Sequence, residues 1–304
     1  MKKKGFIAGT VLVGAMILTA CGSGGGVALA RIDAYDRERL PISLPAEINT
    51  IISIGPANTE IIAELGFVEN IIAADKFSYY VDGLDPAIAV LDMKAIDIEF
   101  IIEQSPDIVI ITGMMRVPDD NSLRMMDEAG IAVVRIPVSE SIAEIMGDVL
   151  FLANLLGVQA EGERIVAEME REIEDVRWAA AGRVPRTVYF EISPEPWMIS
   201  TDNGMLLNEL IEIAGGVNIF ADQNGWLAAT DEMLLSLDPE VIFTNSISDD
   251  AVSEIIARPG FGAISAVRDG HVYRISANAS IWPSHNIIIA LREISDALCP
   301  GGFI

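Results

Sequence analysis

The chain has 304 residues, 51% of them hydrophobic, and its 20 Lys and Arg against 45 Asp and Glu leave a net charge of −25. That length suggests two domains or one large one at about 100–200 residues per domain, and the charge repels nucleic acid and anionic lipid at long range. Two histidines and two cysteines supply neither a His-rich metal site nor a disulfide framework. No directly bound metal ion and no resident cofactor are expected, and after residue 20 no apolar run reaches the roughly 18–20 residues that span a bilayer.

Met1-Lys2-Lys3-Lys4 is a positive n-region, and Gly5 to Ala20 is a short apolar stretch ending in small residues, so residues 1–20 have the pattern of a secretory signal. Leu18-Thr19-Ala20-Cys21-Gly22 resembles a bacterial lipobox, which implies cleavage before Cys21 and attachment of lipid to its sulfur. Loss of the leader leaves 17 basic residues and a charge of −28. Gly22-Ser23-Gly24-Gly25-Gly26 reads as a flexible tether, so residues 21–48 are expected to serve as anchor and tether. Cys299 is then expected as a packed thiol in the last helix.

From Ile51 onward short β-rich apolar runs alternate with helical patterns, the signature of α/β units around parallel sheets. Strands are predicted at Ile51 to Ile54, Ile71 to Ala74, Ile108 to Ile111 and Val133 to Ile136, then at Thr187 to Ile192, Val241 to Thr244 and Val272 to Ile275. The helices between them stop at Leu65-Gly66, Ala129-Gly130 and Ala214-Gly215, where glycine suits a left-handed C-cap.

The chain also contains an internal echo. Ile98 to Ile110 matches Asp231 to Phe243, with Glu99 and Glu232, and likewise Pro106 and Pro239, 133 residues apart. Each copy reads as a short amphipathic helix, a proline that ends it, an acid and a buried strand. Two similar α/β lobes are therefore expected, at residues 49–138 and 182–304, each with a parallel-type sheet flanked by helices. Residues 139–181 between them show a proline-free helical pattern interrupted by Gly147, Gly157 and Gly162. This is expected to be a connecting helical segment, in which a single long helix of about 20 residues would be about 30 Å long.

Four stretches carry a resemblance to a known family. They are Ile54-Gly55-Pro56-Ala57-Asn58-Thr59-Glu60; Leu206 to Leu210 running into Ala214 to Asp222; Arg258-Pro259-Gly260-Phe261-Gly262-Ala263-Ile264; and Val267 to Tyr273. In this order, behind a lipobox, they resemble the solute-binding lipoproteins of bacterial ABC importers for ferric siderophores, haem and cobalamin. One departure is Gly55, where relatives usually carry Ser or another small residue. The resemblance implies two lobes joined by a long helix, no enzymatic activity, and export to the outer face of the cytoplasmic membrane. It also implies a single copy that carries a small-molecule chelate to a permease and its ATPase subunits. Glu99 and Glu232 match the one glutamate per lobe that meets permease arginines in relatives; as acids at helix starts they also suit the helix dipole.

In open parallel sheets ligands sit beyond the carboxyl ends of the strands. Candidate ligand residues on the first lobe are accordingly Pro56, Asn58, Tyr80, Met93, Met115 and Arg116, and on the second Trp197, Trp226 and Trp282. Flat aromatic and thioether surfaces suit a large, partly apolar chelate in an interlobe cleft. A polyanionic ferric catecholate calls for clustered arginines, and these loops offer only Arg116. A weakly charged chelate is expected instead: a ferric hydroxamate is slightly favoured, with a corrinoid or haem as the alternative. His285 is expected to be structural or capping, and His271 to lie in an exposed turn after Asp269-Gly270. A lipid-anchored ligand sensor shares these features. A hydrolase is the least favoured alternative, because the chain holds no G-x-S-x-G, Walker loop or H-E-x-x-H.

Overall fold

The structure, a computed structural model, describes residues 31–113, 120–201, 204–223, 225 and 227–301. The leader with Cys21, and the expected ligand residues Met115, Arg116 and Trp226, lie outside the described residues. The chain divides into two units, one holding the chain up to Gly55 with Val68–Pro137, the other holding Pro56–Phe67 and the chain from Val138 onward.

In the first unit Arg31–Tyr35 (β1) and Pro41–Pro45 (β2) pair antiparallel. Next comes Ile51–Ile54 (β3), after which the chain leaves the unit through helix Pro56–Ile62 (α1). It returns as Ile71–Asp75 (β4), Ala89–Leu91 (β5), Ile98–Gln104 (α2), Ile108–Thr112 (β6), Asp120–Glu128 (α3) and Ala132–Ile136 (β7). The five strands β5-β4-β3-β6-β7 form a parallel sheet. β3 and β6 are buried at every residue, as strands covered on both faces must be. Ile52, Ile54, Val109, Ile111 and Ile101 of α2 share one apolar cluster.

The second unit continues with Ile142–Leu155 (α4), Gln159–Ala180 (α5), Arg186–Glu191 (β8), Ile199–Ser200 (β9), Leu206–Ile213 (α6), Gly216–Asn218 (β10) and Leu227–Ala228 (β11). It ends with Asp231–Leu237 (α7), Val241–Thr244 (β12), Ala251–Ile256 (α8), Ser265–Arg268 (α9), Val272–Arg274 (β13), Ala277–Ile281 (α10) and Ile287–Leu298 (α11). β8 pairs parallel with β12 on one side and with β10 on the other; β12 pairs parallel with β13, while the short β9 and β11 add antiparallel pairs. Tyr189, Ile242, Leu234 and Phe261 lie in its main cluster.

Each predicted strand is present to within a residue at either end. The glycine stops hold too: Gly66, Gly130 and Gly215 have φ of 89°, 80° and 80°. The echo is a structural duplication. Asp97 and Thr230 cap α2 and α7, accepting bonds from the amides of Phe100 and Met233, and both seven-residue helices end on a left-handed residue, Ser105 and Asp238. The acid after each proline then closes onto a threonine. Asp107 Oδ2 accepts from the Thr50 amide and hydroxyl at 2.9 and 3.1 Å, and Glu240 Oε2 accepts from those of Thr187 at 2.9 and 3.2 Å.

Two expectations are corrected. Residues 31–45, read as tether, are the β1–β2 hairpin, whose alternate residues Ile42 and Leu44 are buried. Asp36 at its turn accepts from the Glu38 and Leu40 amides and pairs with Arg135 of β7 at 3.3 Å. Next, Pro56–Phe67, counted in the first lobe, groups with the second unit. The helical segment expected at 139–181 is present as α4 and α5, separated by a turn around Gly157 (φ 76°). The two helices fold side by side so closely that a Cβ at Gly162 would lie 2.4 Å from that of Ala153. α5, with 22 residues, is the long helix of the chain, about 33 Å at 1.5 Å per residue.

Candidate functional site

Both parallel sheets reverse their winding direction at the central strand: between β3 and β6 in the first unit, and between β8 and β12 in the second. The loops leaving the carboxyl ends at these points are where open α/β sheets bind ligands.

In the first unit Asp75, 2% exposed at the end of β4, organises this edge. Its Oδ2 accepts from the Gly55 amide at 2.9 Å and the Ser78 hydroxyl at 2.7 Å, and its Oδ1 accepts from the Phe77 amide at 2.8 Å. Gly55 has φ 115°, a backbone that side chains resist, so glycine suits this position. Tyr80 is half-buried and stands edge-on to Tyr79, which is 83% exposed. Lys76 lies 5.3 Å from the Phe77 ring centre and 3.4 Å from Asp92. The Asp92 carboxyl is held below its ordinary value, first by the Lys94 amide and then by the charge of Lys76. Met93 packs against the apolar cluster of this unit.

The second unit carries its expected residues on separate elements. Pro56 starts α1, where its missing amide proton costs nothing, and both Pro56 and Asn58 are buried. Glu60 on the same helix is 4% exposed and accepts a hydrogen bond from Ser284, two residues after the half-buried Trp282. Trp197, in the turn after β8, is 69% exposed. Beneath that turn Arg258 donates to both oxygens of Glu191, at 2.5 and 2.7 Å, with both side chains almost wholly buried. Burial, followed by the Glu191 charge, pushes the Tyr189 hydroxyl well above its usual range.

Sequence reasoning missed Ile247, which is 83% exposed in the loop just beyond β12, the strand paired with the β8 that leads to Trp197. An apolar residue in the Asn-Ser-Ile-Ser-Asp-Asp run gives no periodic signal, and only the strand order places it near that turn. It also missed the pairing of Glu191 with Arg258, although Arg258 opens one of the quoted motifs.

Glu99 and Glu232 are exposed in the first turns of α2 and α7. The Glu232 carboxyl is held below its ordinary value by its own amide and by the Thr230 hydroxyl. His271 is half-buried, not exposed, because its ring stacks on Tyr273 with Nδ1 3.0 Å from the phenol oxygen. Cys299 is buried beside the Ala214 carbonyl, as expected of a packed thiol. No group of three or more His, Cys, Asp or Glu among the described residues is arranged to hold a metal ion.

His285 has a buried Nδ1 with no hydrogen-bond partner, while its Nε2 lies 4.0 Å from Glu64. Burial lowers its pKa from 6.5; Glu64 opposes that shift and Arg164 adds to it. The unfolded chain therefore takes up this proton first, so the stability owed to the neutral ring is complete above pH 6.5 and is lost as pH falls towards the folded value. Melting temperatures between pH 8 and 5.5 should fall less steeply for His285→Gln than for the parent. Equal slopes would remove His285 from the pH response.

The comparisons with known proteins fit this architecture. The periplasmic binding protein family matches residues 51–279. YvrC of Bacillus subtilis (strain 168), an uncharacterized ABC transporter substrate-binding lipoprotein, is 23% identical over 100% of this chain and 99% of its own length. The vitamin B12-binding protein of Vibrio cholerae is 24% identical over 83% of this chain and 90% of its own. Among solved structures, a possible iron-binding periplasmic solute-binding protein of Staphylococcus epidermidis superposes with a TM-score of 0.73 at 20% identity, over 83% of this chain and 98% of that one. The chain belongs to the periplasmic binding protein family. Its homologues are the extracytoplasmic substrate-binding components of ABC importers, which deliver small ligands to a permease and its ATPase and are not enzymes.

Proposed function

We propose that the protein captures a large, weakly charged metal chelate, a ferric hydroxamate in the first instance, and delivers it to its permease. The observation that carries this reading is the pair of exposed apolar side chains, Trp197 and Ile247, beside the point where the second sheet reverses direction. Exposed apolar area at a ligand edge favours a flat, partly apolar partner. Charge supports the same choice. Two arginines of that edge are engaged by carboxylates, Arg258 by Glu191 and Arg274 by Asp249 at 2.8 Å, leaving them poorly suited to a polyanion. A corrinoid satisfies the same constraints, and the vitamin B12-binding relative favours it as the second reading.

Native mass spectrometry of the exported protein against ferric hydroxamate, ferric catecholate, haem and cyanocobalamin tests the ligand class. Preferential retention of the catecholate would overturn it. With the retained ligand, Trp197→Ala should weaken binding by about 1–3 kcal/mol, roughly 5- to 150-fold. Parent affinity with intact stability would withdraw Trp197 from the site; Pro56, Asn58, Tyr80, Met93, Met115, Arg116, Trp226 and Trp282 are proposed alongside it and can be read in the same assay.

Lipid on Cys21 would hold the protein at the outer face of the cytoplasmic membrane, since durable anchoring needs more than one acyl chain. Cys21→Ser should abolish fatty-acid labelling and release the protein from the membrane fraction. Undiminished labelling would show that the lipid is elsewhere.

A further inference from the structure

We propose that Arg258 is a positioning residue that holds the turn at 192–198, and Trp197 with it, in one orientation on the second unit. The turn is fixed at its base. Glu191 pairs with Ser200 across the strands, the Ile192 and Ser193 amides donate to the Ile199 carbonyl, and Met198, 5% exposed, sits in the apolar cluster with φ 42°. Its outer part, Pro194 to Trp197, is exposed. Within that part the Trp197 amide donates to the Pro194 carbonyl at 3.2 Å, a bond local to the turn.

Arg258 links the outer part to the body. Its terminal nitrogens hold Glu191 at the end of β8, and its Nε lies 3.6 Å from Oε1 of Glu195, two residues before Trp197. The guanidinium carbon lies 5.3 Å from the Phe261 ring centre, a further contact that restrains the group. One planar cation therefore joins a buried strand end, a rim carboxylate and a core aromatic. A lysine ammonium, as a point charge, cannot reproduce that fork. An aromatic side chain ordered beforehand loses less freedom when it meets a partner. The use of this order in capture rests on Trp197 facing the ligand; the positioning itself does not.

The test uses the full chain with Trp178→Phe, Trp226→Phe and Trp282→Phe, so that Trp197 is the sole tryptophan of the four. Time-resolved fluorescence anisotropy without ligand reads its nanosecond motion. Exchanging the buried pair for apolar residues, Glu191→Met with Arg258→Met, commonly preserves a fold. In that variant the slowly decaying fraction of Trp197 anisotropy should fall about twofold while the melting transition stays cooperative, and a matched protein whose sole tryptophan is Trp178 should not change. Glu195→Gln leaves the buried pair intact and should lower the same fraction by a smaller amount, so the proposal is tested even if the double variant does not fold. An unchanged Trp197 signal in Glu195→Gln, or in a folded double variant, overturns it. Because ligand is absent throughout, that failure is distinct from Trp197→Ala binding chelate at parent strength, which would sink the ligand reading alone.

Discussion

Arg258→Ala, and equally Glu191→Ala, should destabilise the protein by about 3–5 kcal/mol, because each leaves a buried charge without its partner. Neither side chain of the pair is more than 5% exposed, so water cannot replace the lost contact without opening the turn. The double replacement Glu191→Met with Arg258→Met should recover most of that loss, since the desolvation of both charges disappears with their attraction. Denaturant titration of the two single variants and the double one completes the cycle. Single variants within about 1 kcal/mol of the parent would show that the pair is open to solvent.

The second large effect is expected at the permease. On the proposed docking role, Glu99→Arg with Glu232→Arg should reduce reconstituted uptake by about tenfold or more, with each single variant intermediate and chelate affinity unchanged. Both glutamates are exposed on short helices of equal length, each with a side-chain N-cap, so reversal disturbs little of the interior. Added salt should weaken the parent complex as well, because rim charges are screened. Normal uptake by the double reversal would return both acids to an ordinary helix-start role.

The parallel strands were legible because each is a short apolar run bounded by turn residues, and the duplication because the same helix-proline-acid-strand order recurs 133 residues later. The β1–β2 hairpin was not legible. It follows a glycine-rich stretch, has only Ile42 and Leu44 as a buried alternation, and is tied at Asp36 to Arg135, 99 residues away. Nor was the grouping of α1 with the second unit, which depends on contacts such as that between Glu60 and Ser284, 224 residues apart. At the candidate site Trp197 was legible as an aromatic in a loop beyond a strand's carboxyl end. The Glu191–Arg258 pair that underlies it spans 67 residues with no local pattern to announce it. Gly55 carried no local signal of its role, and only its positive φ gives the glycine a structural reason.

The two acid–threonine clasps, Asp107 on Thr50 and Glu240 on Thr187, fasten the amino ends of the central strands in both units. A chain that keeps these fastenings keeps strand register at one edge while the opposite edge is free to drift. On the proposed site, diversification of ligand preference is then a matter of rewriting the far loops, and a library confined to their exposed positions Lys76, Phe77, Tyr79, Pro194 to Trp197 and Ile247 should retain folded members at high frequency. Randomising Thr50, Asp107, Thr187 or Glu240 should deplete them.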